Sequence, residues 1–323
     1  MNLRLIIFEN LKYLFYILLL PVVVNAQFPG PAGQPGSTAI NKNDPAIIAW
    51  CTNCKVHRGP QNIAVAGSPP ASTGDSSAVI GAAQLNGVVS LGDGGTAVCY
   101  FQQAITNGPG DDFAVFENSF SDTYLEFAFV EVSSDGIHFF RFPNQSTQDT
   151  VIQIGPYDTC NTRQINFLAG KYRSGFGTPF DLEALKGIAG LDVNYIICVR
   201  IVDCVGSIDK KYGQRDSFGH LINDPWPTDF ASSGFDLDAV GVMHTVPLSI
   251  TELTIQNKNY ISLYKLNELM ENSDFTGPFQ MMDITGRVVY TGTDNSVKLQ
   301  LTEPGWFILT DGKLRKRIFV QLD

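Results

Sequence analysis

Residues 125–142 read Leu125-Glu-Phe-Ala-Phe-Val-Glu-Val-Ser-Ser-Asp-Gly-Ile-His-Phe-Phe-Arg-Phe142: two apolar-rich alternating runs either side of Ser134-Asp135-Gly136. Alternation with period two is the signature of a strand, and Asp-Gly supplies the positive backbone angles that a tight turn between strands requires. The segment therefore predicts a β-hairpin. A chain that folds around such a hairpin must cover its apolar face with more sheet. Val88-Val-Ser-Leu, the turn Gly92-Asp-Gly-Gly95 and Thr96 to Phe101 predict a second hairpin, while Asp112–Glu117, Tyr195–Asp203 and Phe235–Val242 predict further strands. One short helix is expected near Leu182–Leu185. With 30 glycines, 17 prolines and 22 phenylalanines, composition favours short strands and tight turns over long helices. The expected fold class is all-β, a jelly-roll-like β-sandwich of about eight strands. An irregular lead-in rich in Pro, Gly, Asn and Ser runs from Gln27 to about Thr73.

The two ends of the chain have a different texture. Arg4 and Lys12 precede the apolar stretch Tyr13–Val24, which ends on the small-residue site Val24-Asn25-Ala26. That is the order of a signal peptide, residues 1–26, so the mature chain is expected to begin at Gln27 in an oxidising compartment. The stretch is short and broken by Pro21, and no later apolar run is long enough to span a bilayer. The sandwich is expected over 27–246, a linker over 247–258, and a small second β-sandwich domain over 259–323, ending in the basic Lys313–Val320. A net charge of −10 argues against nucleic acid. The six cysteines, Cys51, Cys54, Cys99, Cys160, Cys198 and Cys204, suggest disulfides in an exported chain, but they allow 15 pairings and sequence does not choose among them. No second CxxC or zinc-spaced histidine pair accompanies Cys51-Thr-Asn-Cys54.

Oxygen ligands are the main chemical resource. Asp236 and Asp238 stand two apart on one strand, so both carboxylates share a face and repel each other unless a cation, donor or water intervenes. With Glu117 and Asp112 they form a candidate calcium set; a solvated acidic strand face is the plain alternative. Asp216–Asp224 has the outline of a calcium loop, but Phe218 stands where a second acid is wanted, so Asp216 and Asp224 also read as turn residues. Trp226, Tyr172, Tyr212 and Phe176 are candidates for an aromatic platform under a sugar ring, against the alternative that they cover the end of the sandwich. The four histidines lack a nucleophile context, and neither HExxH nor a phosphate loop occurs. The leading expectation is thus a non-catalytic, ligand-binding protein with glycan as the candidate ligand. The alternative is a surface-polysaccharide hydrolase drawing its acid and base from Glu117, Glu131, Asp203 or Asp236.

Two resemblances add to this reading. Met282-Asp-Ile-Thr-Gly-Arg-Val-Val289, Leu301-Thr-Glu-Pro-Gly-Trp-Phe-Ile-Leu309 and Lys316-Arg-Ile-Phe-Val320 resemble a type IX secretion C-terminal sorting domain, although Tyr264-Lys-Leu-Asn stands where that family commonly has Tyr-Pro-Asn-Pro. The resemblance implies passage through the periplasm and outer membrane, the type IX secretion machinery as partner, and a secreted or surface-attached product. Val130–Phe139 and Val199–Asp203 resemble discoidin-like, galactose-binding-like sandwiches. Val89–Gly95, Asn107–Asn118, Gly177–Leu182 and Gly234–Val240 are similar to a family of uncharacterised bacterial surface proteins. This second resemblance implies a fold and hardly any function.

Overall fold

The computed structural model describes residues 27–246 continuously and, beyond them, residues 251–253, 260–262, 279–283, 286–292, 298–300, 305–310 and 315–320. The signal-peptide segment 1–26, with its cleavage site, lies outside the described residues, as do Tyr264-Lys-Leu-Asn and most of the 247–258 linker. In chain order the strands of the first region are β1 (Ile40–Asn41), β2 (Ala49–Trp50), β3 (Asn53–His57), β4 (Val89–Ser90), β5 (Thr96–Ile105), β6 (Phe113–Glu117), β7 (Ala128–Ser133), β8 (Phe140–Arg141), β9 (Gln145–Ser146), β10 (Ile165–Asn166), β11 (Phe176–Phe180), β12 (Ile196–Asp203), β13 (Asp236–Val242) and β14 (Thr245–Val246).

β9 pairs with β10 in a separate two-stranded sheet, and the other twelve form two six-stranded antiparallel sheets. One has the order β1-β11-β6-β13-β2 with β4 also on β13; the other has the order β14-β5-β12-β7-β8 with β3 also on β5. Alternation places Phe113, Val115, Leu237, Val240 and Val242 of the first sheet against Ala97, Cys99, Val130, Val132, Val199 and Ile201 of the second, and these make the main core. The chain is an all-β sandwich, as its pattern predicts. Strands β6, β7 and β13 are buried at every residue and so on both faces. On β6, Ala114 and Phe116 point away from the core and pack with Ala239 and Trp50; on β7, Phe129 meets Leu125, Cys160, Ile165 and Ile222.

The hairpin read from residues 125–142 is present, with Glu131 opposite Arg141 and Val132 opposite Phe140. Gly136 takes φ +76° in its turn, and Asp135 Oδ1 accepts from the N–H groups of Ile137 (2.8 Å) and His138 (2.7 Å). The short helix also forms, as a 3-10 turn over Leu182–Leu185 capped by Asp181. The hairpin expected from Val88 to Phe101 does not form. β4 pairs with β13 in one sheet and β5 with β12 in the other, so Gly92–Gly95 carries the chain across the sandwich. Val89 and Leu91 fill the core on the first sheet's side. Gly92 is required at the crossing: its φ is +71°, and an added Cβ would lie 2.3 Å from the Gly59 carbonyl oxygen.

Beyond the sandwich, β15 (Thr251–Leu253), β16 (Tyr260–Ser262), β17 (Phe279–Asp283), β18 (Val288–Gly292), β19 (Lys298–Gln300), β20 (Gly305–Thr310) and β21 (Arg315–Val320) follow. A five-stranded sheet runs β15-β21-β20-β17-β18, with β15 parallel to β21, and β16 pairs with β19. β16 to β21 lie within 259–323, where a second β domain is expected, whereas β15 lies within the expected linker 247–258 and pairs with β21. Among the described residues, no helix is long and apolar enough to cross a membrane.

Candidate functional site: a buried carboxylate cluster and a polar cleft

Antiparallel pairing sets which strand ends share an end of the sandwich. Glu117 closes β6 opposite Leu237 near the start of β13, and Asp203 closes β12 opposite Ala128 at the start of β7. Glu117, Asp236, Asp203 and Glu126 are thereby brought to one end, and loops add Asp93 and Asp224; all six are buried. The fields of Glu117, Asp236, Asp224 and Asp203 all act on Glu126.

Hydrogen bonds satisfy part of this charge. Asp203 accepts from the N–H groups of Gly94 (2.8 Å) and Phe235 (2.7 Å), and Asp93 Oδ2 from Ile63 N–H (2.8 Å) and Trp226 Nε1–H (3.1 Å). Glu117 accepts from the Ser119 amide (2.8 Å) and hydroxyl, and Asp236 from the Ser90 hydroxyl. Asp224 Oδ2 accepts from Phe127 N–H (2.8 Å), whereas its buried Oδ1 has no partner. Arg58 exerts its positive field on Asp236, but its guanidinium donates to the carbonyls of Thr73, Ser90 and Gly74. Burial consequently raises the acids, and neighbouring carboxylates reinforce it at Glu117, Glu126, Asp203 and Asp224. Glu117 is pushed up to about 8 against its Ser119 bonds, Asp203 to about 8 and Asp236 to about 6, while Glu126 and Asp224 lie well above the usual range. With values of about 8, Glu117 and Asp203 favour keeping their protons at neutral pH while Asp236, at about 6, does not, and a hard cation could take the place of those protons. Among the described residues, no three His, Cys, Asp or Glu side chains converge at metal-ligand spacing.

Of the acids proposed from sequence, Glu117 and Asp236 meet; Asp238 and Asp112 do not join them. β13 has an irregularity between Leu237, opposite Glu117, and Ala239, opposite Phe116, which leaves Asp238 as the extra residue. Its carboxylate accepts from Gln84 N–H (2.9 Å) and secures a turn in which Gln84 takes φ +64°. Asp112 precedes β6 while Glu117 ends it, five residues and about 16 Å apart at strand rise. Asp112 instead accepts from Gly108 N–H (2.7 Å), Leu182 N–H (2.7 Å) and His244 Nδ1 (2.8 Å). Asp216 caps its own turn, accepting from Phe218 and His220 N–H, in keeping with its reading as a turn residue. Glu131 is clamped by Arg141 and Arg200.

The four aromatics also divide. Trp226 and Tyr212 pair at 6.1 Å between ring centroids, whereas Tyr172 is fully buried with its hydroxyl on Thr38 (2.8 Å). Phe176 lies under the Arg173 guanidinium at 4.7 Å. They make no common platform.

Residues outside those candidates form a cleft of about 520 Å3, built largely from 148–164 and lined by Gln148, Gln153, Gln164, Asn161, Asn223, Thr123, Thr159, Thr162, Asp122, Asp149 and Asp158 with Ile152 and Ile154. Asn223 fixes its wall, donating to the Asp149 and Ile152 carbonyls (2.8 Å each) and accepting from Ile154 N–H (2.9 Å). Two buried polar atoms on the lining residues, Gln148 Nε2 and Thr162 Oγ1, have no partner. Tyr157, next to Asp158 in the chain, is 80 % exposed and stacks on Phe230. The amide and hydroxyl density of 144–164 is the signal for this cleft in the sequence.

No family model, curated protein or solved structure matches the chain. The class that the fold defines is an all-β sandwich.

Proposed function

We propose that the protein is an exported, non-catalytic sandwich that binds a glycan in the Gln148–Thr162 cleft, stabilised by a calcium ion in the carboxylate cluster and delivered to the surface by residues 259–323. The observation that carries the glycan reading is the cleft's lining: amides, hydroxyls and carboxylates in number, with a buried amide donor and a buried hydroxyl unpaired. Sugars present dense hydroxyls that are both donors and acceptors, so they complement such a surface. For calcium, Glu117 and Asp236 are the proposed ligands from sequence of which one, Asp236, exerts its field on the other, with Glu126 and Asp203 as added oxygens; side-chain rotations must gather them. For export, the support is the sorting-domain motif, whose segments 279–283, 305–310 and 315–320 are strands of one sheet.

The test is a glycan array with the secreted protein, followed by assay for released reducing ends. Retention without product is expected. Gln148→Leu and Thr162→Val should each weaken retention about 5- to 100-fold, the range for one lost buried hydrogen bond. Retention that both variants leave intact would place the ligand elsewhere, and product release would favour the hydrolase. Deleting 259–323 should hold folded, glycan-competent protein in the periplasm; normal surface display of the truncated chain would refute the export role.

A further inference from the structure

All six cysteines are buried, and three of them meet at one place. Cys54 on β3 and Cys99 on β5 are directly opposed in the antiparallel ladder, with their sulfurs 3.9 Å apart. Cys51 lies at the turn where the chain leaves β2 in one sheet for β3 in the other. Its amide donates to Val240 O (3.0 Å), its thiol donates to Asn53 O (3.2 Å), and its sulfur is a further hydrogen-bond partner of Cys99. Cys99 therefore has two neighbours: Cys54 within its own sheet, and Cys51 at the crossing between sheets. Of the five residues of β3 only Cys54 is buried, with Asn53 and Val56 half-buried, so little apolar side-chain burial holds this strand to the sheet beyond its ladder with β5.

We propose that Cys54 and Cys99 form an interstrand disulfide that fastens β3, and with it the irregular lead-in, to the sandwich, leaving Cys51 as a third thiol beside the bond. Directly opposed residues of a ladder approach closely enough for the bond, and 3.9 Å between sulfurs closes to bonding distance by side-chain rotation. The oxidant is a small-molecule or protein disulfide, R–S–S–R, as an oxidising export compartment supplies. One cysteine thiolate attacks R–S–S–R and releases R–S⁻; the other then displaces the second R–S⁻. Two S–H bonds are broken, one S–S bond is made, and R–S–S–R is reduced to two R–SH once the released protons are taken up. Since both thiols are buried in the folded chain, the reaction belongs to the stage before β3 docks. Cys51 can attack the finished bond at Cys99, so it offers an exchange partner.

The test refolds the full chain from its reduced, denatured state with oxidised and reduced glutathione, alkylates free thiols, and maps the unreduced peptides by mass spectrometry. Expected is a peptide holding Cys54 joined to one holding Cys99, lighter by two hydrogen atoms than the sum, in wild type and in Cys51→Ser alike. The oxidised wild type should melt about 5–10 °C above Cys54→Ser and lose that margin in reductant. Alkylated Cys99 in Cys51→Ser, a link that survives Cys54→Ser but not Cys51→Ser, or a link from Cys99 to Cys198 would each overturn the proposal. If Cys51→Ser does not fold, backbone fragmentation of the linked wild-type peptide decides between Cys51 and Cys54.

Discussion

Phe180→Ala should lower the unfolding free energy by about 3–5 kcal/mol, the range for truncating a fully buried phenylalanine. Phe180 ends β11 inside the main core with no exposure, and three other rings surround it. Phe113 stacks at 5.3 Å between centroids, Phe142 meets it edge-on at 5.0 Å, and Phe167 lies at 6.3 Å. Phe113 belongs to β6 of one sheet and Phe142 follows β8 of the other, so the ring is packed by both layers at once. Its removal leaves a cavity whose walls are strands held in register, and ladders cannot collapse inward as a loop can. At about 2–4 °C per kcal/mol for a domain of this size, the melting temperature should fall by about 6–20 °C. Phe120→Ala is the comparison: that ring is 86 % exposed, and its truncation should stay within about 0.5 kcal/mol. Urea unfolding of both variants with equal slopes makes the measurement, and a Phe180→Ala loss under about 1 kcal/mol would contradict the packing described.

Much of this core was legible beforehand, because alternation is a local property. The β7–β8 hairpin announces itself through Asp135-Gly136, and the runs that became β6, β12 and β13 each show their apolar residues in strand order. The turn Gly92–Gly95 shows where local reading stops. Its glycines mark a reversal, but whether the next strand pairs back or crosses to the other sheet depends on Val89 and Leu91 packing under β13, far away in sequence. The acids divide in the same way. Glu117, Asp203 and Asp236 each stand at the edge of a strand visible in the sequence, whereas that they share one end, and that Glu126 and Asp224 join them, follows only from the pairing of β6 with β13 and of β12 with β7. Asp238 was misplaced by strict parity, which an irregular step in β13 defeats without a signature in the residues. The cleft is not legible in the sequence because 144–164 has no periodicity, and its shape is set by Asn223, 74 and 71 residues from the Asp149 and Ile152 carbonyls it holds.

The metal-free protein should lose stability as pH rises from about 5 to 7, by several kcal/mol in all. Glu117 and Asp203 have ordinary values of 4.5 and 3.8, and burial raises each to about 8 in the folded chain. Between those limits the folded state keeps protons that the unfolded state has released. Stability then changes with pH in proportion to protons bound unfolded minus protons bound folded, a negative quantity, so the contribution is complete below about 4 and is lost on approaching 8. Asp236, raised to about 6, ceases to contribute earlier. Each group held protonated adds a slope of about 1.4 kcal/mol per pH unit, and because the carboxylates act on one another they titrate as a set. Lys171 works in the opposite direction, but only above its burial-lowered value of about 7, so the window from 5 to 7 belongs to the acids. Denaturant midpoints measured in chelator across that window should fall steadily, and Glu117→Gln should flatten the fall by about one proton's slope. Calcium favours the ionised cluster, so if it binds there, millimolar calcium should restore stability at pH 7 and have little effect at pH 5. A flat profile in chelator would mean that the six carboxylates find their compensation elsewhere, and an identical profile with and without calcium would leave protons alone as what holds the cluster together.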